Sequence, residues 1–312
     1  MRKKRSIIVL VLICITLLFI SGCGQNEPPV SDGQSSALSF TDMTGREVIL
    51  DAPAQRIVVL TAADCEIIFA LGAGDTVVGR GEYCDWPSEA LAKESVKSGS
   101  ETNIEQLINL SPDVVIMNTM DQTQEQVQAL EAAGITVVCS NADNIDDTYL
   151  SIEMLGKLTG KNEEAKQLVQ NMQDTFSTVS AKAADAGKKQ TVYFEVSPLE
   201  YGLWAAGAGT FMDEIASMLG LENIFADVEG WVQISEEQVI QRDPDIIVSL
   251  AMSFPGSEDP IDEIMSRPGW QELAAVKNSM IINLPDDELT RPGPRLAEGA
   301  VKLCDFIYGE DN

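Results

Sequence analysis

Glu105-Gln-Leu-Ile-Asn-Leu-Ser-Pro112-Asp-Val-Val-Ile116 and Glu237-Gln-Val-Ile-Gln-Arg-Asp-Pro244-Asp-Ile-Ile-Val248 are one local design written twice. Each copy opens with a glutamate and a short helical turn, stops at a Pro-Asp pair and continues as an apolar, β-branched run. Proline cannot extend the helix before it. A short apolar run without alternation reads as a strand covered on both faces, the mark of a parallel sheet flanked by helices. Two copies in one chain therefore predict two related α/β lobes.

The rest of the chain fits around these two units. In the first half, strands are expected at Arg56–Thr61, Val77–Gly81, Asp113–Met117 and Ile135–Ser140. A helix carrying Glu66, Ile67, Ile68, Phe69 and Leu71 ends at Gly72, and a second covers Gln122–Ala133. From Asp146 to Lys188 the pattern is helical, with Ala165, Leu168, Val169, Met172 and Phe176 at helical spacing and Gly160-Lys161-Asn162 as punctuation. Strands return at Thr191–Val196, Asp245–Leu250 and Ser279–Leu284, and a last helix spans Pro294–Ile307. The expected fold class is α/β: two α/β lobes bridged by a long helix, with a ligand cleft between them.

The N-terminus carries a different signal. Arg2, Lys3, Lys4 and Arg5 precede an apolar stretch to Ile20 that is shorter than the roughly 20 residues a membrane span needs. Such a basic head and apolar run read as an export signal. Ile20-Ser21-Gly22-Cys23 resembles a bacterial lipobox, whose cysteine is diacylated and becomes the new N-terminus; two acyl chains give stable anchoring. Residues 1–22 are thus expected to be a lipoprotein signal peptide and 23–37 a flexible tether rich in Gly, Asn, Pro, Ser and Gln. An N-terminal lobe over 38–145, a bridging helical stretch over 146–188 and a C-terminal lobe over 189–312 complete the division. The expected location is the extracytoplasmic face of the cell membrane, lipid-anchored.

Composition excludes more than it assigns. With 49 acidic and 21 basic residues the net charge is −28. Loss of residues 1–22 removes four basic and no acidic residues, leaving 17 basic against 49 acidic, a net charge of −32. Such a surface repels phosphate backbones, so no nucleic-acid partner is expected. Histidine is absent, which rules out Ser-His-Asp and Cys-His nucleophile systems and imidazole ligation of a metal. No metal site and no cofactor are expected. Carboxylate chemistry stays open, but no pair stands out among so many acids. Gly72-Ala-Gly74 and Gly207-Ala-Gly209 each lack the third glycine of a dinucleotide loop. Cys65, Cys139 and Cys304 lie in apolar runs and read as small core residues. Cys84 falls in a loop.

The chain resembles the class III substrate-binding proteins of ABC importers, the group serving ferric siderophores, haem and cobalamin. The resemblance spans residues 38–310. It rests on Phe40-Thr-Asp-Met-Thr-Gly-Arg-Glu-Val48, the segment Arg56–Gly74, Tyr83-Cys-Asp-Trp-Pro87, the two Glu-led units and Pro294-Arg-Leu296. It implies a monomer whose partners are an ABC permease and its ATPase, with one glutamate per lobe docking on permease arginines: by position, Glu105 and Glu237. Read locally, each also suits the dipole at a helix N-terminus.

The same alignment implies ligand contacts at Tyr83 and Trp86, after a strand end, and at Trp204 and Trp231 in glycine-flanked loops of the second lobe. Trp270 reads as structural. Arg291 is a candidate for an anionic ligand group, and Arg295 reads equally well as a solvated surface cation. A corrinoid is favoured over an anionic ferric catecholate because arginines are few and the chain is strongly acidic. Neutral hydroxamate siderophores and haem are the competitors. The rival reading is a secreted, lipid-anchored α/β enzyme, a carboxylate-dependent hydrolase.

Overall fold

A computed structural model describes residues 37–118, 123–187, 189–251, 258–285 and 287–309. Cys23, the leader and all but the last residue of the tether lie outside them.

A hairpin of β1 (Leu38–Thr41) and β2 (Glu47–Leu50) opens the described chain. Its turn is closed by the Asp42 carboxylate, which accepts from the backbone of Thr44 and Arg46 at 3.0 and 2.9 Å. The first lobe is a parallel sheet built from β3 (Ile57–Val59), β4 (Val77–Gly81), β5 (Glu94–Val96), β6 (Val114–Asn118) and β7 (Thr136–Ser140), in the spatial order β5-β4-β3-β6-β7. Its helices are α1 (Ala62–Ala70), α2 (Ile104–Asn109) and α3 (Gln124–Ala132). Both sheet faces are buried, as the unbroken apolar runs require. Ile57, Val59, Val114 and Ile116 point into one apolar cluster; Val58 and Val115 point into another with Leu107 and Leu130. Each such side chain taken from water contributes roughly 1.5–3 kcal/mol.

The bridge is two helices, α4 (Ile145–Thr159) and α5 (Asn162–Ala186), joined through Gly160 in the left-handed conformation (φ 73°). They cross closely: a Cβ on Gly156 would stand 2.5 Å from that of Ala165. Helix α4 packs on α1. The second lobe adds β8 (Gln190–Ser197), β9 (Trp204–Ala206), α6 (Phe211–Met218), β10 (Leu221–Asn223), β11 (Trp231–Gln233), α7 (Glu236–Arg242), β12 (Ile246–Ser249), α8 (Pro260–Ser266), α9 (Ala274–Lys277), β13 (Ile281–Asn283) and α10 (Leu296–Tyr308). Helix α5 packs on α10. One apolar cluster runs from Ile57 and Ile116 through Leu155 and Phe176 to Val248 and Leu303, so both lobes share their core with the bridge.

The second sheet departs from the all-parallel expectation. Strands β10, β8, β12 and β13 pair in parallel, but β9 runs antiparallel to β8 and β11 antiparallel to β9. Only residues 198–203 separate β8 from β9. A parallel return needs a crossover of a dozen residues or more, so so short a link dictates a hairpin.

The repeat is carried down to atoms. Ser111 and Asp243, each just before its proline, take positive φ values of 49° and 44°. The aspartate after each proline then fastens the start of the neighbouring strand. Asp113 Oδ2 accepts from the backbone N–H of Gln55 and of Arg56, both at 2.9 Å. Asp245 Oδ2 accepts from Thr191 N and Oγ1 at 2.8 and 3.0 Å.

Candidate functional site

A cavity of about 510 Å³ lies where the strands of the two lobes end. All five strands of the first sheet deliver residues to it just past or at their carboxyl ends: Thr61, Tyr83, Ser98, Asn118 and Ser140. Open α/β sheets bind ligands in this position because helix N-termini and unpaired backbone converge there. The second lobe supplies Val196 and Ser197 from the end of β8, Trp204 and Trp231 from the first residues of β9 and β11, and Phe211 from the start of α6.

The two walls differ in chemistry. The second lobe gives an aromatic wall: Trp231 is half-buried and tilts on Phe211 with ring centroids 5.3 Å apart, and Trp204 stands 39% exposed. Tyr83, 70% exposed, faces them from the first lobe. The floor on the first lobe is polar. Asp64, 2% exposed, accepts hydrogen bonds from Thr61 Oγ1, from Ser140 Oγ at 2.5 Å and from Ser151 Oγ at 3.1 Å. Burial pushes its carboxyl above the usual carboxylate range, and the three hydroxyls pull it part of the way back. Sequence reasoning passed over Asp64. The available signal was two acids, Asp64 and Glu66, in the opening turns of an otherwise apolar helix.

Arg291 lines the cavity, but its charge is already engaged. Nη1 lies 3.0 Å from Glu66 Oε1 and 2.7 Å from Asp85 Oδ1, and Nη2 lies 2.6 Å from Asp287 Oδ2. Arg295 is not the solvated surface cation its sequence context allowed. It is 6% exposed, and its Nε and Nη2 grip Glu66 at 2.9 and 2.6 Å. Trp86 does not line the cavity: its ring covers Arg295, whose guanidinium carbon is 4.6 Å from the ring centroid. Cys84, placed in a loop by the sequence, is fully buried. Trp270 is buried against Tyr193 and Arg267, a structural place.

Glu105 and Glu237 stand away from the cavity, both exposed, each the second residue of its helix. The backbone N–H of Glu237 and the Ser235 hydroxyl lower the Glu237 carboxyl below its ordinary value. Three residues on, Ile108 and Ile240 are both 38% exposed. Among the described residues no group of three or more Cys, Asp or Glu is arranged to hold a metal ion.

Residues 57–288 match the family described as periplasmic binding protein. The chain is 32% identical to the uncharacterized ABC transporter substrate-binding lipoprotein YvrC of Bacillus subtilis (strain 168), over 99% of this chain and 98% of that one. Its fold is similar to a solved possible iron-binding (periplasmic solute-binding) protein from Staphylococcus epidermidis, with a TM-score of 0.71 and 32% identity over 82% of this chain and all of that one. It is also similar to the periplasmic vitamin B12 binding protein BtuF of Vibrio cholerae, with a TM-score of 0.69 and 29% identity over 82% and 97% of the two chains.

Proposed function

The chain belongs to the periplasmic binding protein family, and we propose that it is the substrate-binding component of an ABC importer, capturing a corrinoid or a neutral ferric siderophore outside the cell and delivering it to the permease. The observation that carries the ligand class is the makeup of the cleft. Aromatic faces line one side, and the lining cation, Arg291, is held by three carboxylates. A ferric catecholate carries several negative charges and needs clustered, available cations; Asp64 and Asp143 in the lining oppose it further. A large, flat, nearly neutral ligand suits tryptophan and tyrosine walls instead. Haem is disfavoured by its anionic side groups, and among the described residues Tyr83 is the one phenol in the lining to ligate its iron.

Size favours a second reading within the same class. Small-molecule sites run from about 300 to 1,000 Å³, and at about 510 Å³ the cleft suits a ferric hydroxamate more closely than a whole corrinoid, which would protrude or part the lobes. Direct titration with cyanocobalamin, a ferric hydroxamate and a ferric catecholate, read by tryptophan quenching, decides between them. The corrinoid or the hydroxamate is expected to saturate the signal. Tight catecholate binding with no response to the other two would refute the charge argument.

In this reading the protein performs no chemistry, in keeping with relatives that are binding proteins. Cys23 carries the lipid, residues 23–37 form the tether, and lobes 38–145 and 189–312 close on ligand around the stretch 146–188. It works as a monomer on the extracytoplasmic face. Glu105 and Glu237, at matching exposed places on the two lobes, dock the permease. The double change to alanine is expected to leave ligand affinity intact and to abolish stimulation of the importer's ATPase. Cys23→Ala is expected to loosen the chain from the membrane once retention by an uncleaved leader is separated out by fractionation.

A further inference from the structure

Strands β3 and β4 lie side by side in parallel, with Val59 opposite Arg80, and both leave the sheet at the same end. Past that end the two chain segments touch. Gly81 is so close to Leu60 that a Cβ on it would stand 2.5 Å from the Leu60 carbonyl oxygen. The turn that follows bonds Cys84 N to Gly81 O at 3.1 Å and sets Cys84 Sγ 3.7 Å from Val59 O. On the other segment, Cys65 N donates to Thr61 O at 3.1 Å as α1 begins. Both cysteines are fully buried in the same apolar cluster, and the neighbouring Cys84 thiol raises that of Cys65. The other two described cysteines face different partners: Cys139 meets Arg46, and Cys304 meets Val179 O.

We propose that Cys65 and Cys84 are joined as a disulfide in the exported protein, a covalent staple along the first-lobe wall of the ligand cleft. The proposal rests on the export reading, because a disulfide persists outside the cell and is kept reduced inside it. The step balances as an exchange. The two thiols give up two protons and two electrons as the Sγ–Sγ bond forms, and the disulfide of an exported thiol–disulfide oxidoreductase accepts both and becomes two thiols. The adjacent Cys84 thiol and burial hold the Cys65 thiol well above the usual range in the folded chain. The thiolate, not the thiol, is the attacking species, so the bond is made as the segment folds, before burial.

The staple sits where it matters for the cleft. The turn after β4 carries Tyr83 on the cavity, Asp85 on Arg291 and Trp86 over Arg295, while α1 carries Asp64 and Glu66. Joining the turn to α1 keeps these two halves of the wall in register.

The test uses the full chain expressed in an exporting bacterium and taken from the membrane fraction. It is denatured in N-ethylmaleimide without reductant, then reduced, labelled with iodoacetamide and mapped by mass spectrometry. Cys65 and Cys84 are expected to carry the second label, and Cys139 and Cys304 the first. Loss of residues 1–22 reports export separately. A processed chain in which Cys65 and Cys84 both carry N-ethylmaleimide overturns the proposal, whether the thiols are free or hold a soft metal. A chain that keeps its leader overturns the export reading instead. The purified protein is then refolded with oxidised glutathione, and failure to form the Cys65–Cys84 link there overturns the proposal as well. Reductant is expected to lower the melting temperature of the linked protein by roughly 5 °C and to leave the Cys65→Ala, Cys84→Ala double variant unchanged; identical melting of the wild type with and without reductant counts against the staple.

Discussion

Arg267 and Arg295 are built into the same chemical unit and do different work. Each is buried, at 2% and 6% exposure. Each grips one glutamate with two nitrogens at 2.6 and 2.9 Å, Glu195 for Arg267 and Glu66 for Arg295. Each lies against a tryptophan, with the guanidinium carbon 4.4 Å from the Trp270 ring and 4.6 Å from the Trp86 ring. The partners differ in place. Glu195 and Glu263 belong to β8 and α8 of the same lobe as Arg267, and Trp270 is fully buried. Glu66 belongs to α1 of the first lobe, Arg295 precedes α10 at the far end of the chain, and Trp86 is half open to solvent. One unit holds a lobe together. The other fastens the two lobes along the edge of the cleft, and Arg291 shares its glutamate.

The comparison breaks first at Arg267. Burial opposes its charge, and the carboxylates of Glu195 and Glu263 outweigh that, raising the guanidinium above its ordinary value. Arg267→Ala strands a carboxylate at 1% exposure. Removing one partner of a buried pair costs about 3–5 kcal/mol, whereas an apolar replacement of both is often neutral. Denaturant melts are expected to show that loss for Arg267→Ala and recovery in Glu195→Leu/Arg267→Met. A single variant as stable as the wild type would remove the cluster from the account of the second lobe.

Arg295→Ala is expected to cost less, about 1–3 kcal/mol, because Arg291 Nη1 stays on Glu66. Its distinguishing effect is on the cleft. Ligand dissociation is expected to quicken in Arg295→Ala and to stay unchanged in Arg267→Ala, measured with whichever probe saturates the titration. Arg295→Lys is expected not to rescue it, since a point charge supplies neither the two-nitrogen fork nor the flat face over Trp86. Equal ligand kinetics in both arginine variants would end the distinction between a lobe clamp and a cleft clamp.

How much of this was legible in the sequence follows from the range of the interactions. The repeat, the parallel strands and the Gly160 break are local patterns, and they stand where they were read. The glutamate pair at matching helix starts is likewise local. Arg295 stayed open between a ligand contact and a solvated cation because its partner, Glu66, is 229 residues away in sequence, and a Pro-Arg-Leu context says nothing about burial. Asp64 went unremarked because its partners, Ser140 and Ser151, come from β7 and α4. Both residues sit where separate elements converge, and no single stretch of chain encodes such a meeting. The antiparallel edge of the second sheet was within reach, since the short link after β8 already forbids a crossover.

Asp64 sharpens the comparison from the other side: it is a buried carboxyl given hydroxyls in place of a guanidinium. Its folded pKa is raised by burial above the ordinary value of about 3.9. Between those two values the native state keeps a proton that the unfolded state has lost. Its contribution is therefore full below the unfolded value and is lost as pH rises through the folded one. Asp64→Asn is expected to flatten the fall in stability that sets in above pH 4. The check is the difference between wild-type and variant denaturant midpoints across that range, since Glu195 and Glu214 are raised by burial too and tilt both curves alike. Parallel curves would mean that the three hydroxyls offset the burial of the Asp64 carboxylate in full.

The smallest expected effect decides the place of Trp86. As a lid on Arg295 it contributes a cation–π contact, worth about 0.5–1 kcal/mol at an exposed site. Trp86→Ala is expected to lose that much stability, far less than the 3–5 kcal/mol typical of truncating a buried tryptophan, the case of Trp270. Trp86→Phe keeps a ring over the guanidinium and is expected to recover most of it. Trp86 also follows the turn that brings Tyr83 to the cavity, and the family resemblance puts it among the ligand contacts. The two roles separate by their ratio. A lid alone predicts that Trp86→Ala alters ligand affinity no more than Arg295→Ala does, with Tyr83→Ala, Trp204→Ala and Trp231→Ala each weakening it about tenfold. If Trp86→Ala instead weakens ligand binding as much as Trp204→Ala while stability barely moves, the ring turns onto bound ligand and leaves Arg295, and the cleft-side cluster is a switch between two partners where the Arg267 cluster has only one.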